Sequence, residues 1–215
     1  MARKHARAPW AGRTPPTSHR ASHHAAPRGL GHAAAPRALG IDIGRVIISD
    51  GEGAGDTSFL SGSETDALRT PPMRGALETI AELVEALEGR VWLVSKCGPA
   101  VQARTRRWLA HWRFHERTGL PAPQLRFCRQ RHEKAPICAS LGLGAFIDDR
   151  TDVLAPMAGV VPWRFLYGPQ RRAVPDDLCW VRDWDAVERE LLPLCREGGR
   201  VTDAAAPGTA AAREP

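Results

Sequence analysis

Five residues stand at the ends of short apolar runs or at the start of a helix. Asp42 lies in Leu39-Gly-Ile-Asp-Ile43, Ser95 follows Val91-Trp-Leu-Val94, and Asp148 and Asp149 follow Ala145-Phe-Ile147. Lys134 precedes a short helix-forming stretch, 135–141. Singly, each has an ordinary structural role. An Asp at a strand end forms a turn or caps a helix, a Ser before Gly-Pro caps a helix, and a Lys at a helix start is solvated. Brought to one place, three carboxylates, a hydroxyl and an ammonium repel one another or stand idle without a divalent cation and an anionic ligand. Ligands that are all oxygen select a hard ion, with Mg²⁺ the first expectation.

The elements between these residues decide whether they meet. Leu39–Ile43 reads as a buried strand continuing at Val46–Ile48, and Gly51–Pro72 reads as a loop. Residues 73–88 place Leu77, Ile80, Val84 and Leu87 on one helical face, with Gly89 as the stop. Val91–Val94 is a second strand, and a helix begins near Pro99 with Val101, Trp108, Leu109 and Trp112 at helical spacing. Leu125–Cys128, Ala145–Ile147 and Val160–Leu166 read as further strands, the last at a sheet edge because of Pro162. Ala135–Leu141 is a short helix, and Asp185 with Glu188 forms a capping box for a last helix through Leu192. Buried strands alternating with helices predict a three-layer, Rossmann-like α/β domain with a mostly parallel sheet. Its active site belongs beyond the carboxyl ends of the strands, where these five residues stand.

In this order the motifs resemble those of the haloacid dehalogenase superfamily, most of whose members are phosphatases. The family's first motif, an apolar strand ending Asp-x-Asp-x-(Thr/Val), reads here as Asp42-Ile43-Gly44-Arg45-Val46. Ser95 matches the second motif, Lys134 the third and Asp148-Asp149 the fourth, over about residues 38–170. The resemblance implies that Asp42 attacks phosphorus to form an aspartyl-phosphate, splitting one hard displacement into two easier ones. It implies Mg²⁺ held by Asp42, the Gly44 carbonyl, Asp148 and Asp149. Ser95 would donate to a phosphoryl oxygen, and Lys134 would offset charge on the phosphate and on Asp42.

One position departs from the pattern. The family's general acid sits two residues after the nucleophile, where this chain has Gly44. Such an acid contributes about 10²–10⁴-fold. Three readings stay open: Asp50 or Asp56 folds back to supply the proton, the substrate has a good leaving group such as an acyl or aryl phosphate, or the site binds phosphate without useful turnover. The dehalogenase branch also lacks this acid, but displacing halide needs no metal, so the retained Asp148-Asp149 pair speaks against it. Asp42 and Ser95 are 53 positions apart, and Ser95 and Lys134 are 39 apart, too close to insert a full cap domain. An open site suits a macromolecular phosphorylated substrate, or one covered by a partner subunit. The loop 51–68, with Phe59 and Leu60 at its tip, can act as a small flap.

Composition places these motifs in a soluble globular chain, 43% hydrophobic and 25% charged. Of its 30 basic residues, seven fall in residues 1–37, which hold no acid; the remaining 23 face 24 acidic ones. The chain's +6 charge therefore belongs to the tail, and the neutral remainder speaks against a nucleic-acid partner. The expected organisation is a disordered tail over 1–37, one domain over 38–197 and a second tail over 198–215. No run approaches a membrane span, and five unevenly spaced cysteines form no disulfide framework, so the expected setting is cytoplasmic. His111 with His115, and Cys128 with His132 and Cys138, match no standard metal spacing. The rival class is a catalytically weak phosphate-binding or nucleic-acid-associated regulatory protein that uses the basic tail.

Overall fold

Leu39–Ile41 forms β1, whose three residues are all buried and pair with a parallel strand on either side. The structure, a computed structural model, describes residues 33–49 and 63–203. Six parallel strands make one sheet in the order β3-β2-β1-β4-β5-β6: β2 is Val91–Lys96, β3 Leu125–Cys128, β4 Ala145–Asp148, β5 Trp163–Tyr167 and β6 Cys179–Val181. Helices α1 (Glu64–Arg69), α2 (Ala76–Ala86), α3 (Pro99–His111), α4 (Phe114–Thr118), α5 (Lys134–Ser140), α6 (Thr151–Leu154) and α7 (Trp184–Asp203) supply the connections.

The two-residue period of each strand divides the core. Leu93, Ala145, Ile147 and Phe165 face a cluster that includes Leu77 and Ile80 of α2, Trp108 of α3 and Leu191 of α7. Val94, Phe146 and Leu166 face the opposite cluster with Cys138 of α5 and Leu154 of α6. A sheet buried on both faces explains why the strands are almost wholly apolar. The chain runs from β1 outward to β3, then crosses back to β4 on the other side of β1. That reversal is the switch point where α/β folds open a crevice.

Gly40 shows how tightly this centre is packed. A Cβ there would lie within the contact surface of the Phe146 ring and 2.6 Å from Leu143 Cδ1. Gly40→Ala is expected to destabilise the fold by about 1–3 kcal/mol through overpacking, read as a lower urea midpoint. An unchanged midpoint would contradict the close approach.

Several elements differ from the sequence expectation. Val46–Ile48 is buried but does not continue β1; the N–H groups of Ile47 and Ile48 both donate to Ile43 O, at 2.9 and 3.0 Å, winding 43–48 into a turn. The 51–68 loop gives way to α1, opened by a Ser63–Asp66 capping box. Helix α2 begins after Gly75, whose φ of 78° is left-handed, rather than at residue 73. β5 is not an edge strand: Pro162 falls just before it, and β6 occupies the edge. Helix α7 is capped by Asp183, whose Oδ1 accepts from Ala186 N at 2.9 Å, not by Asp185 and Glu188. It also runs well past Leu192, because Gly198 and Gly199 press against the backbones of Pro36 and Ala86 where no side chain would fit.

Residues 33–37, expected in a disordered tail, are packed. Trp163 Nε1 donates to Ala34 O at 2.9 Å, Arg90 Nε donates to Arg37 O at 2.8 Å, and Pro36 is buried. The rest of both expected tails, and the segment carrying Asp50, Asp56, Phe59 and Leu60, lie outside the described residues. Among the described residues, neither connection flanking β2 holds an inserted domain, and no helix is long and apolar enough to cross a membrane.

Candidate active site

Strand register brings the site together. Ile41 pairs with Leu93 of β2 on one side and with Ile147 of β4 on the other. Asp42 follows Ile41, Asp148 follows Ile147, and Ser95 lies two residues past Leu93, so all three occupy the carboxyl edge of adjacent strands. Asp42 is locked to β4 by its N–H, which donates to Ile147 O at 2.9 Å. Lys134 arrives from α5, and the single helical turn Arg131–Glu133 before it sets its entry.

Lys134 is the centre of the arrangement. Its side chain is only 3% exposed, and Nζ lies 2.8 Å from Asp42 Oδ1 and 2.7 Å from Asp148 Oδ2. The ammonium also faces the Phe146 ring, 5.6 Å from its centroid. Burial opposes its charge, but the two carboxylates outweigh burial and hold its pKa above the usual lysine range. Asp148 is fully buried, and its other oxygen accepts from Arg150 N at 3.0 Å. Burial, then the Asp42 charge, pushes Asp148 upward against the pull of Lys134. Burial and Asp42 likewise push Asp149 up to about 6. One buried ammonium and the half-exposed Arg45, whose Nε lies 3.5 Å from Asp149 Oδ2, do not balance three carboxylates.

That imbalance fits a divalent cation. Asp42, Asp148 and Asp149 each offer a carboxylate oxygen, and these oxygens lie within 4.8 Å of one another. Three hard anionic donors that close suit Mg²⁺. Gly44 is two residues from Asp42; a Cβ there would meet nothing within 4 Å, and its backbone is not left-handed. Ser95 is buried at the end of β2, its carbonyl receiving the Cys128 thiol at 3.8 Å.

The pKa shifts fix a pH dependence. Asp148 and Asp149 have folded pKa values above the unfolded one, so their contribution to stability is present at low pH and lost as pH rises. For Asp149 the loss falls between about pH 4 and 6. In EDTA the melting temperature is expected to fall from about pH 5 to pH 7, and Mg²⁺ should raise it more at pH 7, where protons compete less for the ligands. A melting temperature that rises over this window and ignores Mg²⁺ would contradict the metal site.

The sequence reading passed over Arg45. Its Nε lies 3.5 Å from Asp149 Oδ2, and its side chain is 48% exposed at the mouth of the site. The available signal was a lone cation within the apolar run Ile43-Gly-Arg-Val-Ile-Ile48. Cys97, beside the site, is buried, and burial and the Asp42 charge push its thiol up to about 11, leaving it unreactive.

No protein-family profile matches the chain, and no curated protein does. Among solved structures it is similar to a Had-superfamily hydrolase from Ehrlichia chaffeensis, with 12% identity, 75% of this chain and 98% of that one covered, and a TM-score of 0.49. It is also similar to a haloacid dehalogenase-like family hydrolase from Xanthomonas campestris, with 20% identity, 63% of this chain and 61% of that one covered, and a TM-score of 0.44. Likenesses this remote leave the chemistry to be read from the site itself.

Proposed function

We propose that this protein is a Mg²⁺-dependent phosphomonoester hydrolase of the haloacid dehalogenase superfamily that works through an aspartyl-phosphate at Asp42. The observation that carries this reading is the buried Lys134 ammonium held between Asp42 and Asp148, with Asp149 completing the carboxylate group. Asp42, Asp148, Asp149 and the Gly44 carbonyl would hold Mg²⁺, whose charge, when bound, lets an anionic nucleophile approach an anionic phosphate. Lys134, 2.8 Å from Asp42 Oδ1, holds that carboxylate in place for attack. Ser95 donates to a phosphoryl oxygen. A donor of this kind contributes about 10²–10³ in rate. The short connections on either side of Ser95, which leave no room for a full cap domain, suit a macromolecular substrate or one covered by a partner subunit, and five free cysteines suit a cytoplasmic setting.

A panel of phosphomonoesters, assayed with Mg²⁺ and in EDTA, tests this directly. Turnover that disappears in EDTA supports the reading, and full activity in EDTA contradicts it. Gly44 favours a second reading, a domain that binds phosphate with little turnover and docks through its basic tail. Deleting residues 1–32, which spares the packed 33–37 segment, separates the two: a hydrolase keeps its turnover, whereas a docking protein loses its target.

The unobstructed space at Gly44 makes it a site for gain of function. Gly44→Asp is expected to raise hydrolysis of alkyl phosphates by about 10²-fold, because it restores a proton donor where the leaving oxygen departs. Steady-state rates on an alkyl and an aryl phosphate check this; equal gains on both would contradict an acid role.

A further inference from the structure

The near-neutral charge of the domain conceals a division. Residues 96–132 hold nine basic residues against one acid, Glu116, whereas the other positions after 37 hold 14 basic residues and 23 acidic ones. That stretch folds as the end of β2, α3, α4, β3 and the loop into α5, so its charge gathers at the β3 end of the sheet. Part of it is neutralised locally: Arg107 pairs with Glu64 at 2.7 Å, Arg117 with Glu78 at 2.9 Å, and Arg113 with Glu116. Lys96, Arg129 and Arg131 are exposed and form no ion pair among the described residues. Glu133, the acid of their loop, is spent on backbone: its Oε2 accepts from Arg129 N at 2.9 Å. Asp152, within reach of the Arg131 charge, is held instead by Arg150 at 2.8 and 3.1 Å.

These three cations border the site. Lys96 follows Ser95 and is in register with Cys128, and Cys97 N donates to Cys128 O at 3.0 Å, which clamps the ends of β2 and β3 together. Arg129 follows Cys128, and the loop that bears Arg129 and Arg131 ends at Lys134, whose Nζ lies 2.8 Å from Asp42 Oδ1. With about 5 Å between neighbouring strands, Lys96 stands one strand and Arg129 two strands, or about 10 Å, from Asp42. Arg106, 5.2 Å over the Phe127 ring, extends the same sign along the edge. A single phosphate at Asp42 cannot span such a row; the ligand must carry further anions at intervals leading away from the reacting one. Ammonium and guanidinium groups both bind phosphate oxygens. An acidic protein, with its broad footprint, would meet the excess of acids over the rest of the domain, whereas a nucleic-acid strand is narrow and bears a charge at every residue. Resting on the reading of Asp42 as the nucleophile toward phosphorus, we infer that the substrate is the phosphate-bearing end of a nucleic-acid strand, whose next phosphates lie across Lys96, Arg129 and Arg131. Asp42 forms the bond to the terminal phosphorus as the ester P–O bond breaks. One water is consumed overall, its oxygen and one hydrogen going to the released phosphate and the other hydrogen to the strand's new hydroxyl. With no acid at Gly44, binding energy from these remote phosphates is what favours a strand over a small ester.

The test uses the full chain and a fluorescent DNA strand of about 12 nucleotides with a phosphate on one end, as separate 5′ and 3′ forms. Binding is read by anisotropy in EDTA between about 50 and 200 mM salt. The triple variant Lys96→Gln, Arg129→Gln, Arg131→Gln is expected to bind the strand at least about 10-fold more weakly at about 50 mM salt. Its slope of log affinity against log salt should be shallower by about 2, at about 0.7 per phosphate contact for a single strand. The charge-preserving variant Lys96→Arg, Arg129→Lys, Arg131→Lys should keep the wild-type slope, which a merely structural defect would not allow. With Mg²⁺ restored, wild type should release phosphate from the better-bound form with kcat/KM at least about 10²-fold above that for the matching nucleoside monophosphate. An unchanged slope in the glutamine variant overturns the inference, as does an acidic phosphopeptide of equal length bound as tightly as the strand. Because binding in EDTA requires no turnover, the two readings fail separately. Salt-dependent loss of binding without phosphate release defeats the Asp42 reading alone, and turnover of small esters with an unchanged slope defeats the nucleic-acid surface alone.

Discussion

Lys134→Met is expected to abolish turnover and to lower stability by about 3–5 kcal/mol at pH 7, because it removes one partner of a buried ionic group and leaves the others uncompensated. Asp42 and Asp148 are 8% and 0% exposed, and they share this one ammonium at 2.8 and 2.7 Å. Methionine fills the volume without the charge, so the defect is electrostatic rather than a cavity. The penalty should shrink at lower pH, where Asp148, whose pKa burial raises, takes up a proton and no longer needs a counter-ion. Urea unfolding at about pH 5 and pH 7 reads both effects. A variant as stable as wild type at pH 7 would show that the ion pairs contribute nothing.

Asp42→Asn should behave in the opposite way. Turnover is expected to fall by at least about 10³-fold, since the attacking oxygen is gone. Stability should hold or rise. The Asp42 charge is a cause of the upward shift at both Asp148 and Asp149, and removing it relieves that repulsion. A site that is strained in the resting protein and improves when its nucleophile is removed is the pattern of function held at the expense of stability. Loss of activity through unfolding, with a lowered melting temperature, would contradict it.

The strands that carry the site were legible because β1, β2 and β4 are buried on both faces, and their residues read as short apolar runs ending in a polar one. The same logic failed at Val46–Ile48, where an apolar run is equally buried but lies in a turn; burial alone does not distinguish a strand from a turn tucked into the core. β6 escaped notice because Cys179-Trp180-Val181 is short and only partly buried, as an edge strand can be. The end of α7 was misplaced because the expected helix closed at Leu192, whereas α7 runs through Pro193 and past Gly198 and Gly199, which press close to Pro36 and Ala86. Asp42, Ser95, Lys134 and Asp148 were chosen by their places at element ends. Arg45 was not, because its significance lies in a left-handed turn and a 3.5 Å approach to Asp149 that no spacing in the sequence encodes.

The covalent intermediate is where the chemistry can be seen most directly. Wild-type protein mixed with its best substrate from the panel and Mg²⁺, quenched in acid within a turnover and mapped by mass spectrometry, is expected to carry one phosphate on Asp42, labile to hydroxylamine and missing from Asp42→Asn. Substrate hydrolysis with no phosphate on Asp42 at any quench time, or with activity retained in Asp42→Asn, would contradict a nucleophilic role for that carboxylate.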